Sequence, residues 1–193
     1  MHFDNGLYTW ITERAQDAPG WVDTTIRLWS DYGLGLFAVL MVLVWWRARR
    51  DGGARLAMAL AAPLVVVAAY VANDVFKMIV HEQRPCQTLH VVTVEACPPL
   101  GDWSFPSNHA AIAAAAAVAV LLADRALAWI AVPAALLMAA SRVWIGAHYP
   151  HDIAVGLVVG AVVALVLTLL ARRAVPLVER LGETKLRPLV AAR

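Results

Sequence analysis

Five apolar stretches, at residues 32–46, 57–76, 109–123, 127–145 and 152–171, leave this chain few ways to fold. In lipid every backbone N–H and C=O must find a partner inside the protein, and a helix supplies those partners within one segment. About twenty apolar residues of helix cross a hydrocarbon core of about 30 Å, and each stretch approaches that length. Composition agrees: 61% of the 193 residues are hydrophobic and 16% are charged, where soluble domains carry about a quarter. The expectation is one all-α domain over residues 1–193, a polytopic membrane bundle of about five transmembrane helices. No repeat, low-complexity linker or soluble domain interrupts it.

Basic residues set the expected orientation, because lysine and arginine are retained on the cytoplasmic side. Arg47, Arg49, Arg50 and Arg55 fill the link between the first two stretches, and Arg125 separates the third from the fourth. Arg172, Arg173, Arg180, Lys185, Arg187 and Arg193 follow the fifth, so eleven of the sixteen basic residues share one face. The N-terminus and the 78–108 loop are therefore expected outside, with 172–193 a cytoplasmic tail. Residues 1–30 lack the charged start, apolar core and cleavage site of a signal peptide. Their mixture of Trp10, Trp21 and Trp29 with charges predicts a helix lying on the outer membrane surface. A lid packed on the bundle is the alternative.

Cys86 and Cys97 both fall in the outer loop. In an oxidising compartment they form a disulfide; two unpaired thiols are the other possibility. Two cysteines alone do not make a structural zinc site.

Polar residues gather where the helices meet the outside. The second stretch runs into "NDVFKMIVHEQRP", the third starts from "FPSNHA", and "SRVWIGAHYPHD" joins the fourth to the fifth. Lys77, Arg84 and Arg142 bring three positive charges, and guanidinium groups match phosphate oxygens in pairs. Ser107 precedes an alanine-rich helix as a natural N-cap, so the first-turn N–H groups face the same anion, with His109 at the edge. Asp152, four residues after His148 and behind Pro150, can reach one imidazole nitrogen and leave the other free to attack. Lys77 has a plainer reading as a partner of Asp74. His81, His90 and His151 read as solvated or locally bonded. Charges at membrane helices are functional by default.

These segments resemble the tripartite signature of the type 2 phosphatidic acid phosphatase (PAP2) superfamily. "KMIVHEQRP" matches K-x6-RP, "PSNH" matches PSGH with one change, and "SRVWIGAHYPHD" matches SR-x5-H-x3-D. The resemblance implies a metal-independent lipid phosphate phosphatase of the cell membrane, with no cofactor. His148 would attack phosphorus to give a phosphohistidine, Asp152 would orient it, and His109 would protonate the leaving oxygen. Lys77, Arg84, Ser107, Asn108 and Arg142 would hold the phosphate. Asn108 stands where the family has glycine, which leaves the cradle's shape open; its amide could itself donate to the phosphate.

Partners expected are a lipid phosphate and the surrounding membrane lipids, not nucleic acid; oligomeric state is not legible. Among small bacterial relatives the layout is most similar to enzymes that convert undecaprenyl diphosphate to the monophosphate. Phosphatidylglycerophosphate, phosphatidate and other prenyl phosphates are the alternatives. Two further classes compete: soluble vanadium haloperoxidases, which the hydrophobicity opposes, and a non-enzymatic transporter or scaffold, which would leave the histidines idle. "GLVVG", Gly156 to Gly160, and Ala110 to Ala117 predict close helix contacts within the bundle.

Overall fold

The computed structural model describes residues 3–190, so Arg193 and the ends of the predicted 1–30 and 172–193 segments lie outside the described residues. The order is α1 (Asn5–Gln16), α2 (Gly20–Tyr32), α3 (Leu34–Asp51), α4 (Gly53–Val80), α5 (Pro85–Leu89), α6 (Asn108–Ala123), α7 (Arg125–Trp144), α8 (Pro150–Ala171), α9 (Val175–Leu181) and α10 (Arg187–Val190), with a 3₁₀ turn before α9. The five apolar stretches fall largely in α3, α4, α6, α7 and α8, the first starting at the end of α2 and the fourth ending one residue past α7. The all-α membrane bundle is what the structure shows.

The number of spans is less uniform than the sequence suggests. Gly53–Leu89, Arg125–Trp144 and Pro150–Leu181 are each long and apolar enough to cross a membrane. A fourth arises if α2 and α3, which meet at 49°, count as one bent span. The bend sits at Gly33, where a Cβ would strike the Trp29 carbonyl and the Met138 side chain. Helix α6 has 16 residues, about 24 Å of helix, shorter than the others. It forms the centre, packed by α4, α7 and α8, and its alanines let them approach closely.

Gly156 and Gly160 set the closest of these approaches. A Cβ on Gly160 would fall on the Ala111 carbonyl, and one on Gly156 on the Ser107 carbonyl. The GLVVG stretch is thus a seam within one bundle. At the end away from the polar loops, Asp124 accepts from the backbone N–H groups of Ala126 and Leu127 and pairs with Arg47 at 3.0 Å and with Arg55. This ties the α3–α4 and α6–α7 links together. Beyond α8 the chain folds back, and Trp45 and Arg49 donate to the carbonyls of Leu189 and Pro188.

Residues 3–30 differ from the expected single surface helix in number of helices and in contacts. They form two helices, and α1 buries Tyr8, Thr12 and Ala15. The Tyr8 hydroxyl donates to the Gly146 carbonyl at 2.9 Å, the Gln16 amide to Val92, and Trp144 to Asp23. The segment packs on the polar loops, the arrangement the sequence made second choice, while Trp10 and Trp21 stay exposed. The reason is that Tyr8 and Ser30 have polar partners more than a hundred residues away, which local amphipathicity does not register.

Candidate functional site

The three polar segments converge at one end of the bundle. Helix α4 runs past its apolar stretch to Val80, so Lys77 stands in the last turn, buried, with Nζ donating to the Trp103 carbonyl at 2.8 Å. Its partners lie in the loop; the simpler pairing with Asp74 is not what forms. Arg84 opens α5 and is also buried. Its guanidinium donates to the carbonyls of Asp102 and Ala147 and pairs with the Asp102 carboxylate at 2.9 Å. The Cys86–Cys97 disulfide closes the stretch of loop between Arg84 and Asp102.

Arg142 ends α7 and points inward. Nη1 donates to the Ser30 hydroxyl at 2.7 Å, Nη2 lies 3.6 Å from Glu95, and Nε is buried without a partner. The chain then folds tightly back: the N–H groups of Ala147 and His148 both donate to the Arg142 carbonyl. Gly146 allows the turn with φ of 85°, and a side chain there would also strike Thr93. The result holds His148 against the Arg142 backbone and beside the Arg84 guanidinium.

His148 is 2% exposed and Asp152 fully buried. Nδ1 lies 3.3 Å from Asp152 Oδ2, and Nε2 lies 3.4 Å from Arg84 Nη1. A guanidinium can only donate, so Nε2 carries the lone pair and Nδ1 the proton. Burial pushes the imidazole down to about 3; the hydrogen bond to Asp152 opposes this, and the charges of Arg84 and Arg142 add to it. A neutral, oriented imidazole is what a nitrogen nucleophile requires. Asp152 is held in turn by the Tyr149 N–H at 2.9 Å and by the Ser104 hydroxyl.

Ser107 occupies the N-cap position of α6, but its hydroxyl makes no capping bond and is buried without a partner. The Ser107 N–H instead donates to the Asp152 carbonyl at 3.1 Å, which locks the start of α6 onto α8. His109, the second residue of α6, lies within electrostatic reach of Arg142, Arg84 and Lys77. Asn108 is the first residue of α6. Its side chain accepts from Asn73 at 2.7 Å and donates to Asp74 at 3.3 Å, so it replaces the family glycine by tying α6 to α4.

His151 is not the solvated bystander the sequence suggests. Its ring faces Asp4 at 2.9 Å, Glu82 at 3.0 Å and Asp152 at 3.3 Å. The sequence also shows no carboxylate-rich cluster, yet folding brings these acids together from three distant segments. Among the described residues Glu82, His151 and Asp152 place metal-type donor atoms within 4.8 Å of one another. Both ring nitrogens face carboxylate oxygens, the arrangement an imidazolium satisfies by donating twice. Sequence reading missed Ser30, Asn73, Glu95, Asp102 and Ser104, all of which touch predicted site residues. Single polar residues, in a loop like Glu95, Asp102 and Ser104 or in a helix like Ser30 and Asn73, carry no periodic signal.

Residues 56–176 match the PAP2 superfamily. The chain is 28% identical over 144 residues to undecaprenyl-diphosphatase BcrC of Bacillus subtilis (strain 168), covering 74% of this chain and 71% of that one. It is 40% identical over 103 residues to a decaprenylphosphoryl-5-phosphoribose phosphatase of Mycobacterium tuberculosis (strain ATCC 25618 / H37Rv), covering 51% and 54%. Its fold resembles that of a transmembrane PAP2 type phosphatidylglycerolphosphate phosphatase from Bacillus subtilis, with a TM-score of 0.64, 19% identity and coverage of 87% and 86%. At that identity the likeness is one of fold.

Proposed function

The chain belongs to the PAP2 superfamily and is a membrane phosphatase, and on that premise we propose that it removes the terminal phosphate of undecaprenyl diphosphate at the outer face. The observation that carries the chemistry is His148, buried and neutral, with its Nε2 lone pair beside Arg84 and its Nδ1 proton on Asp152. Nε2 attacks the terminal phosphorus. A nitrogen–phosphorus bond forms as the bond to the bridging oxygen breaks, and His109 gives that oxygen a proton. His109 then takes a proton from water, whose oxygen displaces His148 and releases inorganic phosphate.

Charge control falls to Lys77, Arg84, Arg142 and the first-turn N–H groups of α6, aimed where the phosphoryl oxygens gather negative charge. The unpaired Ser107 hydroxyl and Arg142 Nε support this role, because a buried donor without a partner costs about 1–3 kcal/mol and a phosphate oxygen would satisfy each. No step needs a metal. The outer placement is supported by the eleven basic residues at the opposite end and by a disulfide in the site loop, which suits an oxidising compartment.

The prenyl diphosphate is favoured by the relative that aligns over most of both chains. A prenyl-linked sugar phosphate is the second reading, favoured by the 40% identity to the decaprenylphosphoryl-5-phosphoribose phosphatase. Phosphate release by purified protein, with chelator present, tests both against phosphatidylglycerophosphate and phosphatidate. Preference for undecaprenyl diphosphate is expected; preference for a glycerolipid overturns the substrate. In His148→Ala the rate should fall by at least about 10³-fold, as for other lost nucleophiles. Full hydrolysis by that variant overturns the covalent route.

A further inference from the structure

Ser104 lies outside all three motifs, yet it is fully buried at their junction. Its N–H donates to the Glu82 carbonyl at 2.7 Å, and its carbonyl faces Lys77 Nζ at 3.5 Å. These backbone bonds fix where the side chain sits. The hydroxyl donates to Asp152 Oδ2, and its oxygen lies 3.4 Å from His148 Nδ1.

We propose that Ser104 is a positioning residue of the phosphatase reaction, whose hydroxyl keeps the Nδ1 proton on His148 while the phosphohistidine forms and breaks. The proposal rests on the reading of His148 as nucleophile. A carboxylate only accepts, so the Ser104 proton points to Asp152 and leaves the oxygen's lone pairs toward Nδ1. Nδ1 then faces two acceptors and must carry the proton, while Nε2, facing Arg84, cannot. The tautomer is held from both ends of the ring.

The charge consequence comes after attack. Bonding of Nε2 to phosphorus leaves the ring positive, with the Nδ1 proton still in place. If Asp152 took that proton, the phosphorylated ring would become neutral and a poorer leaving group when water attacks. The hydrogen bond from Ser104 spreads the carboxylate's charge and makes it a weaker base, so the proton stays on the ring. Ser104 thereby favours breakdown of the intermediate.

The test follows hydrolysis of undecaprenyl diphosphate radiolabelled in its terminal phosphate, with acid-labile, base-stable label on protein as a second readout. In Ser104→Ala kcat should fall about tenfold to hundredfold, the range of a lost proton-handling group, with KM changed less. The fraction of enzyme carrying label at steady state should rise, because breakdown slows more than formation. Ser104→Thr, which keeps a hydroxyl, should recover most of the rate. Should the alanine variant fail to fold, Ser104→Cys, with its weak donor, is read the same way. Wild-type kcat and label in Ser104→Ala overturn the proposal, as does an equal loss in the alanine and threonine variants, or a lowered Tm with unchanged label per folded enzyme. Absence of labelled histidine in the wild type, or full activity in His148→Ala, overturns the nucleophile assignment and this proposal with it.

Discussion

His148 is neutral in the folded protein because it is sealed from water beside the Arg84 guanidinium, and that neutrality ties stability to pH. Its folded value is near 3 against an ordinary 6.5, so the unfolded chain binds a proton that the folded chain refuses. The stability this contributes is complete above 6.5 and drains as the pH falls toward the folded value. Thermal unfolding in detergent, followed from neutral pH to about pH 4, should show a falling Tm whose slope is shallower in His148→Asn. Equal slopes would mean that the imidazole is open to solvent. His148 and Asp152 were legible because a four-residue offset across a helix start has a definite geometric meaning. Asn108 was legible only as an exception: its reach to Asn73 spans 35 residues, and nothing local in "PSNH" announces it.

Among the elements, the α1–α2 pair changes the most between sequence and structure. Apolar helices declare themselves by length and composition, so α4, α7 and α8 could be placed to within a few residues. An amphipathic pair does not reveal what its polar face will touch. Ser30 is fully buried at the end of α2 and meets Arg142 across 112 residues, outside the 56–176 family match. Ser30→Ala removes the group that holds this guanidinium, and a hydrogen bond to a charged group contributes about 1.5–3 kcal/mol. KM for the lipid substrate should rise about tenfold while kcat falls less. Steady-state kinetics with an unchanged Tm would establish this, and an unchanged KM would show that Arg142 is held well enough by Glu95 and its own backbone.

For the whole molecule, three motifs that are far apart in sequence meet because a short alanine helix lets its neighbours come within backbone contact. The expectation of one bundle with its polar segments at one end followed from arginine counts and apolar lengths. Which helix would sit at the centre did not, since the alanines of "AAIAAAAAVAV" predict close contacts without saying how many neighbours share them. Gly160 is the tightest point of that centre. Gly160→Leu must push α8 off the Ala111 carbonyl, and overpacking of this kind costs about 1–3 kcal/mol or more. Because the Ser107 N–H and the Asp152 carbonyl join the same two helices, the variant should lose hydrolysis together with Tm; full activity at a lowered Tm would mean that the seam and the site are mechanically separate.

The two arginines assigned to phosphate each have a carboxylate beside them: Asp102 holds Arg84 at 2.9 Å and Glu95 stands 3.6 Å from Arg142. Each carboxylate sits on the disulfide-bearing loop and is partly open to water. If these arginines hold phosphate, as proposed, an arriving phosphate must change places with the carboxylates, which weakens its binding. On the proposed reaction the same exchange runs backwards after hydrolysis, with the returning carboxylates crowding inorganic phosphate out. On the proposed function, a site with bare arginines would grip its product, and one that carries its own counterions would be cleared for the next lipid.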